Sequence, residues 1–136
     1  QFYAEKASLD AIVAKRAHYI IKENQRTISA SDAMQRNDVA MLSDLMAQSH
    51  AGMRDEFEIT HPAVDTLVDL VGEVLGKCGG VRMTGGGFGG CVVALVPHEQ
   101  VDDIRMHVAQ HYFTRTGLHE EVFVCQPCKG VTVIAE

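Results

Sequence analysis

Five of the six positions from Gly85 to Gly90 in "VRMTGGGFGGCVVALVP" are glycine, interrupted only by Phe88. A residue without Cβ lets the backbone turn through positive φ and lets another group come close to the peptide N–H donors. Each glycine also raises the entropic cost of ordering the loop by ~0.5–1 kcal/mol relative to alanine. One or two glycines serve a tight turn, whereas five point to something that approaches the backbone. Inward-facing N–H groups in series make an anion cradle, so the chemistry to expect is contact with phosphate.

Three familiar phosphate loops can be tested against this stretch. Gly85-x-Gly87-x-x-Gly90 fits the dinucleotide fingerprint, but that fingerprint needs a helix after the glycines to hold the pyrophosphate. Here "CVVALVP" follows, too β-branched for that helix and closed at once by Pro97. With Val92 added, the pattern also fits the glycine loop of protein kinases, which does lie between two strands. The lysine of the next strand and the "HRD" and "DFG" segments that must accompany it do not occur. Nor does any Gly-Lys-Ser/Thr of a Walker loop.

Other reactive residues are less organised. Cys125 and Cys128 form a C-x-x-C, but no second ligand pair lies beside them in sequence, so ordinary reduced thiols are expected rather than a zinc or redox centre. His107 and His111 stand four apart on an expected helix with no third ligand nearby, and are expected to form a solvated or half-buried face. Asp55, Glu56 and Glu58 end an amphipathic helix, where acidic clusters usually face solvent; none is expected to be catalytic. Arg82 alternates away from Val81 and Met83, and a structural ion pair is at least as good a reading as a phosphate contact.

The elements that must position the loop follow from local signals. Tyr3 to about Gln35 has no Gly or Pro, with apolar residues at Leu9, Ile12, Val13, Ile20, Ile28 and Met34, which predicts one long helix or two broken near Ser29–Asp32. Asn37 or Asp38 can cap a second helix with Leu42, Leu45, Met46, Met53 and Phe57 on its apolar face. Pro62 suits the first turn of a third, striped by Val64, Leu67, Val68, Val71, Val74 and Leu75 and ended by Gly76. Val81–Thr84 reads as a strand and Cys91–Val96 as a fully buried one. A fourth helix carries Val101, Ile104, Val108 and Tyr112 and stops at Gly117. Val122–Cys125 and Val131–Ile134 read as further strand. A β-β-α-β order after a helical segment predicts an α+β domain, an antiparallel sheet covered by helices in a ferredoxin-like arrangement with its first elements replaced or cut off.

Composition bounds the partners. The chain has 136 residues, one domain's worth, with a formal net charge of −6 and no Lys/Arg block, so nucleic acid is not an expected partner. No apolar run approaches a membrane span and no signal-peptide layout opens the chain. A cytoplasmic protein is expected, and the start at Gln1 suggests a piece of a longer one.

The segment "RMTGGGFGGC", Arg82 to Cys91, resembles the third signature motif of the GHMP small-molecule kinases. "SHAGMRDEFEIT" (Ser49–Thr60), Pro62 with "DTLVDLV", and "ENQRT" (Glu23–Thr27) resemble the C-terminal segment of the galactokinases within that family. The resemblance runs from about Ile12 to Pro127. It implies transfer of the ATP γ-phosphoryl group to the anomeric hydroxyl of α-D-galactose with Mg2+, in an active site between two domains. It also implies that the sugar-recognition signature, the base and the serine-rich phosphate loop belong to an N-terminal domain, and none of these occurs here. Thr84, Gly85, Gly86, Gly87, Phe88, Gly89 and Gly90 are carried over as lining the phosphate and substrate site, with no catalytic residue and no metal ligand in this chain. Phe88 is expected to pack against the partner loop. The alternatives are another sugar kinase of the family, such as an N-acetylgalactosamine kinase, or a galactokinase-like sugar sensor without catalysis. An isolated C-terminal piece is expected to be inactive and to self-associate through the surface its N-terminal domain would cover.

Overall fold

The computed structural model describes residues 2–127 and Gly130. A short helix α1 (Phe2–Glu5) and a 3-10 turn precede α2 (Ala11–Gln35), whose first turn is capped by the Asp10 carboxylate accepting from the Ile12 and Val13 N–H groups. No break occurs near Ser29–Asp32, but the helical run expected from Tyr3 is interrupted at Leu9–Asp10, where an extended residue and the Asp10 cap start α2 afresh at Ala11. Its exposed side carries Ile12, Val13, Ile20, Ile28 and Met34, while Ala14, Tyr19 and Ala33 are its buried residues. The apolar spacing is helical, but it marks an open stripe rather than the packed face.

Helix α3 (Val39–Gly52) starts at Asp38, whose carboxylate accepts from the Met41 N–H. Its last turn runs into a π-turn, Met53–Phe57, closed by Glu58 in the left-handed region at φ 61°. Phe57 stacks on Tyr19 with ring centroids 4.9 Å apart, which fastens the turn to α2. Helix α4 (Pro62–Leu75) begins with proline at its first turn and ends at Gly76, and α5 (Val101–Thr116) ends at Gly117 in the left-handed region. The start of α3, both ends of α4 and the end of α5 fall close to where Asp38, Pro62, Gly76 and Gly117 predict, whereas α3 stops at Gly52, short of the Met53 and Phe57 expected on it.

Strands β1 (Gly80–Thr84) and β2 (Cys91–Leu95) form an antiparallel hairpin with Thr84 opposite Cys91 and Met83 opposite Val92. Helices α4 and α5 bury Leu70, Val71, Leu75, Ile104, Val108 and Tyr112 together, with Val81 packed against them. A second cluster of Tyr19, Met53, Val64 and Met83, joined by Val92, sits under the glycine loop. The α+β architecture with helices on an antiparallel sheet is the expected one.

Two strand expectations need correction. Cys91–Leu95 is not fully buried: Val93 and Leu95 are 46% and 45% exposed, because the described helices pack on the face that carries Val81, Met83 and Val92. Val122–Cys125 forms no strand; residues 118–127 have no regular structure, and Val122, Phe123 and Val124 are exposed. β-branched composition makes a strand only where a neighbouring edge accepts its hydrogen bonds, and no described strand lies beside this segment. Val131–Ile134 and Cys128 lie outside the described residues.

Candidate phosphate site on the glycine loop

The hairpin holds all seven expected site residues in one exposed turn, from Thr84 at the end of β1 to Gly90 before β2. Gly85, Gly87, Gly89 and Gly90 adopt φ of 96°, 88°, 133° and 100°, and Phe88 itself sits at 59°. Such a run of positive φ is accessible to glycine and strained for other L-residues, which explains the composition of the loop. At Gly87 the reason is also steric, since an added Cβ would lie 2.6 Å from the Ile59 carbonyl oxygen. Gly85, Gly86 and Gly89, by contrast, have open space where a Cβ would be, so their bareness leaves room for something from outside.

The N–H of Phe88 donates to the Ile59 carbonyl at 2.6 Å. That donor is therefore turned inward and tethers the tip of the loop to the segment before α4. Among the described residues, the N–H groups of Gly85, Gly86, Gly87 and Gly89 have no backbone carbonyl partner. Phe88 is 77% exposed, and Thr84 is exposed as well. The loop thus offers free donors on an accessible rim.

Beneath the loop, polar side chains hold the outer edge of β1. Met83 is fully buried; its N–H donates to His50 Nδ1 at 3.3 Å and its carbonyl accepts from Arg82 Nε at 3.0 Å. An uncovered strand edge would leave both groups unpaired, so His50 of α3 and the neighbouring Arg82 side chain take the place of a further strand. Arg82 reaches Glu23 Oε1 at 3.3 Å, and the same carboxylate receives Arg26 Nε at 2.7 Å and the Ser49 hydroxyl. Arg82 therefore serves an internal ion pair that joins α2 to β1. His50 Nε2 lies 3.3 Å from Asp65 Oδ1, within ion-pair distance but not aligned as a hydrogen bond. The other Asp65 oxygen accepts from the Thr60 hydroxyl at 3.1 Å. Burial pushes the His50 imidazole below the ordinary histidine range, against the opposing pull of Asp65.

The remaining reactive residues form pairs. Asp55 accepts from Arg54, Glu56 from His18 and Glu58 from Lys15, at 2.8, 2.7 and 2.8 Å. These are exposed or half-exposed contacts far from a general-base environment, and two of them fasten the π-turn to α2. His107 meets Glu73 at 2.7 Å, and Arg115 meets the same carboxylate at 2.9 Å. Cys125 is exposed. Among the described residues no three His, Cys, Asp or Glu side chains converge as a metal site.

Sequence reasoning did not single out His50, Asp65 or Ile59. His50 and Ile59 stood inside the quoted "SHAGMRDEFEIT", but nothing local says which backbone group each will meet.

Residues 30–113, more than half of the chain and including the whole loop, match the family model described as GHMP kinases C terminal. The chain belongs to the GHMP kinases. The crystal structure of Lactococcus lactis galactokinase complexed with galactose is similar to it, with a TM-score of 0.79 and 36% sequence identity over 86% of this chain. The match covers 30% of that galactokinase chain, so the GHMP kinase C-terminal domain described here spans less than a third of its length. Within this GHMP kinase domain no described helix is long and apolar enough to cross a membrane.

Proposed function

We propose that residues 1–136 are the C-terminal domain of a cytoplasmic galactokinase, which transfers the γ-phosphoryl group of ATP to the anomeric hydroxyl of α-D-galactose. The observation that carries this reading is the exposed loop with free, closely approachable N–H donors in a chain 36% identical to a galactokinase bound to galactose. Phosphoryl transfer depends mostly on positioning and on stabilising charge, and preorganised backbone donors supply both. Thr84 to Gly90 form one wall of the phosphate site, with the free glycine N–H groups facing phosphate oxygens and Phe88 presenting its ring to the opposite wall. ATP, when bound, supplies the phosphoryl group.

The residues present fit phosphate oxygens and not Mg2+, since residues 84–90 include no carboxylate. Magnesium ligands and the base belong to the N-terminal domain of the same protein. Asp55, Glu56 and Glu58 are committed to Arg54, His18 and Lys15, which agrees with a base outside this chain. The open apolar stripe on α2 and the open face at Val93 and Leu95 are surfaces for the rest of the protein.

The test is to combine this chain with the N-terminal domain of the same protein and measure galactose-dependent ADP release and galactose 1-phosphate. N-acetylgalactosamine as the preferred acceptor would move the reading to another sugar kinase of the family. Binding of sugar and nucleotide without turnover would move it to a sugar sensor.

A further inference from the structure

We propose that His50 is a positioning residue of the glycine loop, holding Met83 through a neutral ring packed beside Asp65. This deepens the reading above, since it matters for phosphoryl transfer only if the loop is the phosphate wall. The hydrogen bond from the Met83 N–H requires Nδ1 to be the acceptor, so in the neutral ring the proton sits on Nε2, facing Asp65 Oδ1 at 3.3 Å. Asp65 also receives the Thr60 hydroxyl, and the residue before Thr60 supplies the carbonyl that holds the Phe88 N–H. The tip of the loop at Phe88 is therefore bonded to the segment Ile59–Asp65, and its root at Met83 is bonded to His50, whose ring lies beside the Asp65 carboxylate of that segment.

His50 is only 4% exposed. The charged groups around it are Asp65 and Asp69 of α4, Arg54 of the π-turn and Arg82 of β1. Protonation turns Nδ1 into a donor that faces the Met83 donor, so the contact is lost and the strand end that launches the loop is freed. The carboxylate of Asp65 and the cations of Arg54 and Arg82 act in opposite directions on that proton, and burial favours the neutral, loop-holding ring.

The test follows the loop directly by amide NMR of this chain, with no activity needed. In the wild type, the amide signals of Met83, Thr84 and Phe88 should move together as His50 titrates, at a pH below the ordinary histidine value of 6.5. His50→Asn keeps an acceptor near the place of Nδ1 but does not titrate, so its loop signals should stay near wild type and remain flat through the same pH change. His50→Leu should speed exchange of the Met83 amide at least tenfold and carry the change to Phe88. Loop signals that stay still while His50 titrates would overturn the proposal, as would His50→Leu effects that stop at Met83. If His50→Leu does not fold, the wild-type and His50→Asn titrations decide alone. In the protein joined to its N-terminal domain, His50→Leu should lower kcat more than it raises KM for ATP, and His50→Asn should restore kcat toward wild type. An intact NMR response without phosphoryl transfer would reject the proposed function and leave the positioning role standing.

Discussion

The Phe88 amide and the Ile59 carbonyl, on segments far apart in sequence, are joined by a 2.6 Å hydrogen bond that fixes the tip of an otherwise open loop. Phe88 adopts a left-handed conformation to reach it, and Gly87 must lack a side chain for the approach to be this close.

Gly87 and Gly86 should therefore differ sharply when replaced by alanine. Gly87→Ala places a methyl group on the Ile59 carbonyl at φ 88°, and should lower stability by about 1–3 kcal/mol in urea unfolding. Gly86 has no neighbour within 4 Å and no positive φ, so Gly86→Ala should change stability by no more than about 0.5 kcal/mol. A fall in phosphoryl transfer by Gly86→Ala with unchanged stability would then report a ligand approaching the backbone. Equal losses of stability in the two variants would contradict the geometry.

The packing of α4 on α5 carries the larger core. Leu70 is fully buried there among Val71, Leu75, Ile104, Val108 and Tyr112. Leu70→Ala should cost about 2–5 kcal/mol, seen as a lower denaturation midpoint with an unchanged slope.

Stability should fall with acid in two windows of different origin. Burial lowers the pKa of His50 in the folded chain, so the unfolded chain takes up the proton first. Its contribution is complete above the ordinary value of 6.5 and is lost as pH falls from there toward the folded value. His50→Asn should remove that window. Glu73 is held below its ordinary 4.5 by Arg115 first and His107 second, so its contribution is complete above 4.5 and disappears as pH falls through the folded value. Arg115→Gln should raise the Glu73 carboxyl titration, followed by carboxyl NMR, and high salt should weaken the wild-type effect because the group is exposed.

The isolated chain should self-associate, because Ile12, Val13, Ile20, Ile28, Val93 and Leu95 all leave apolar surface open. Light scattering should show mass rising with concentration, and lysine at Val93 and Leu95 should reduce it. Calorimetry on the same sample should detect no tight ATP or galactose binding. A strictly monomeric chain, or affinity of about 1 μM for either ligand, would mean that the surface and the site are more self-contained than proposed.

Much of the frame was legible in local residues. Asp38, Pro62, Gly76 and Gly117 act on the backbone beside them, so the start of α3, both ends of α4 and the end of α5 needed no knowledge of the fold. The glycine loop was legible for the same reason, since positive φ is a property of single residues. The outward stripe of α2 was not, because periodicity reports that one side is apolar and not what lies against it. Val122–Cys125 failed as a strand because pairing needs a neighbouring edge.

By itself the sequence determined the capped helix ends, that the glycine loop lies between two strands, and the family that its motif resembles. Only the tertiary structure decided that Arg82 pairs with Glu23, that His50 takes the Met83 N–H, and that Ile59 holds Phe88. Conformational preference is written residue by residue, whereas the partner of a buried donor depends on which distant segment the packing brings within 3.5 Å of it.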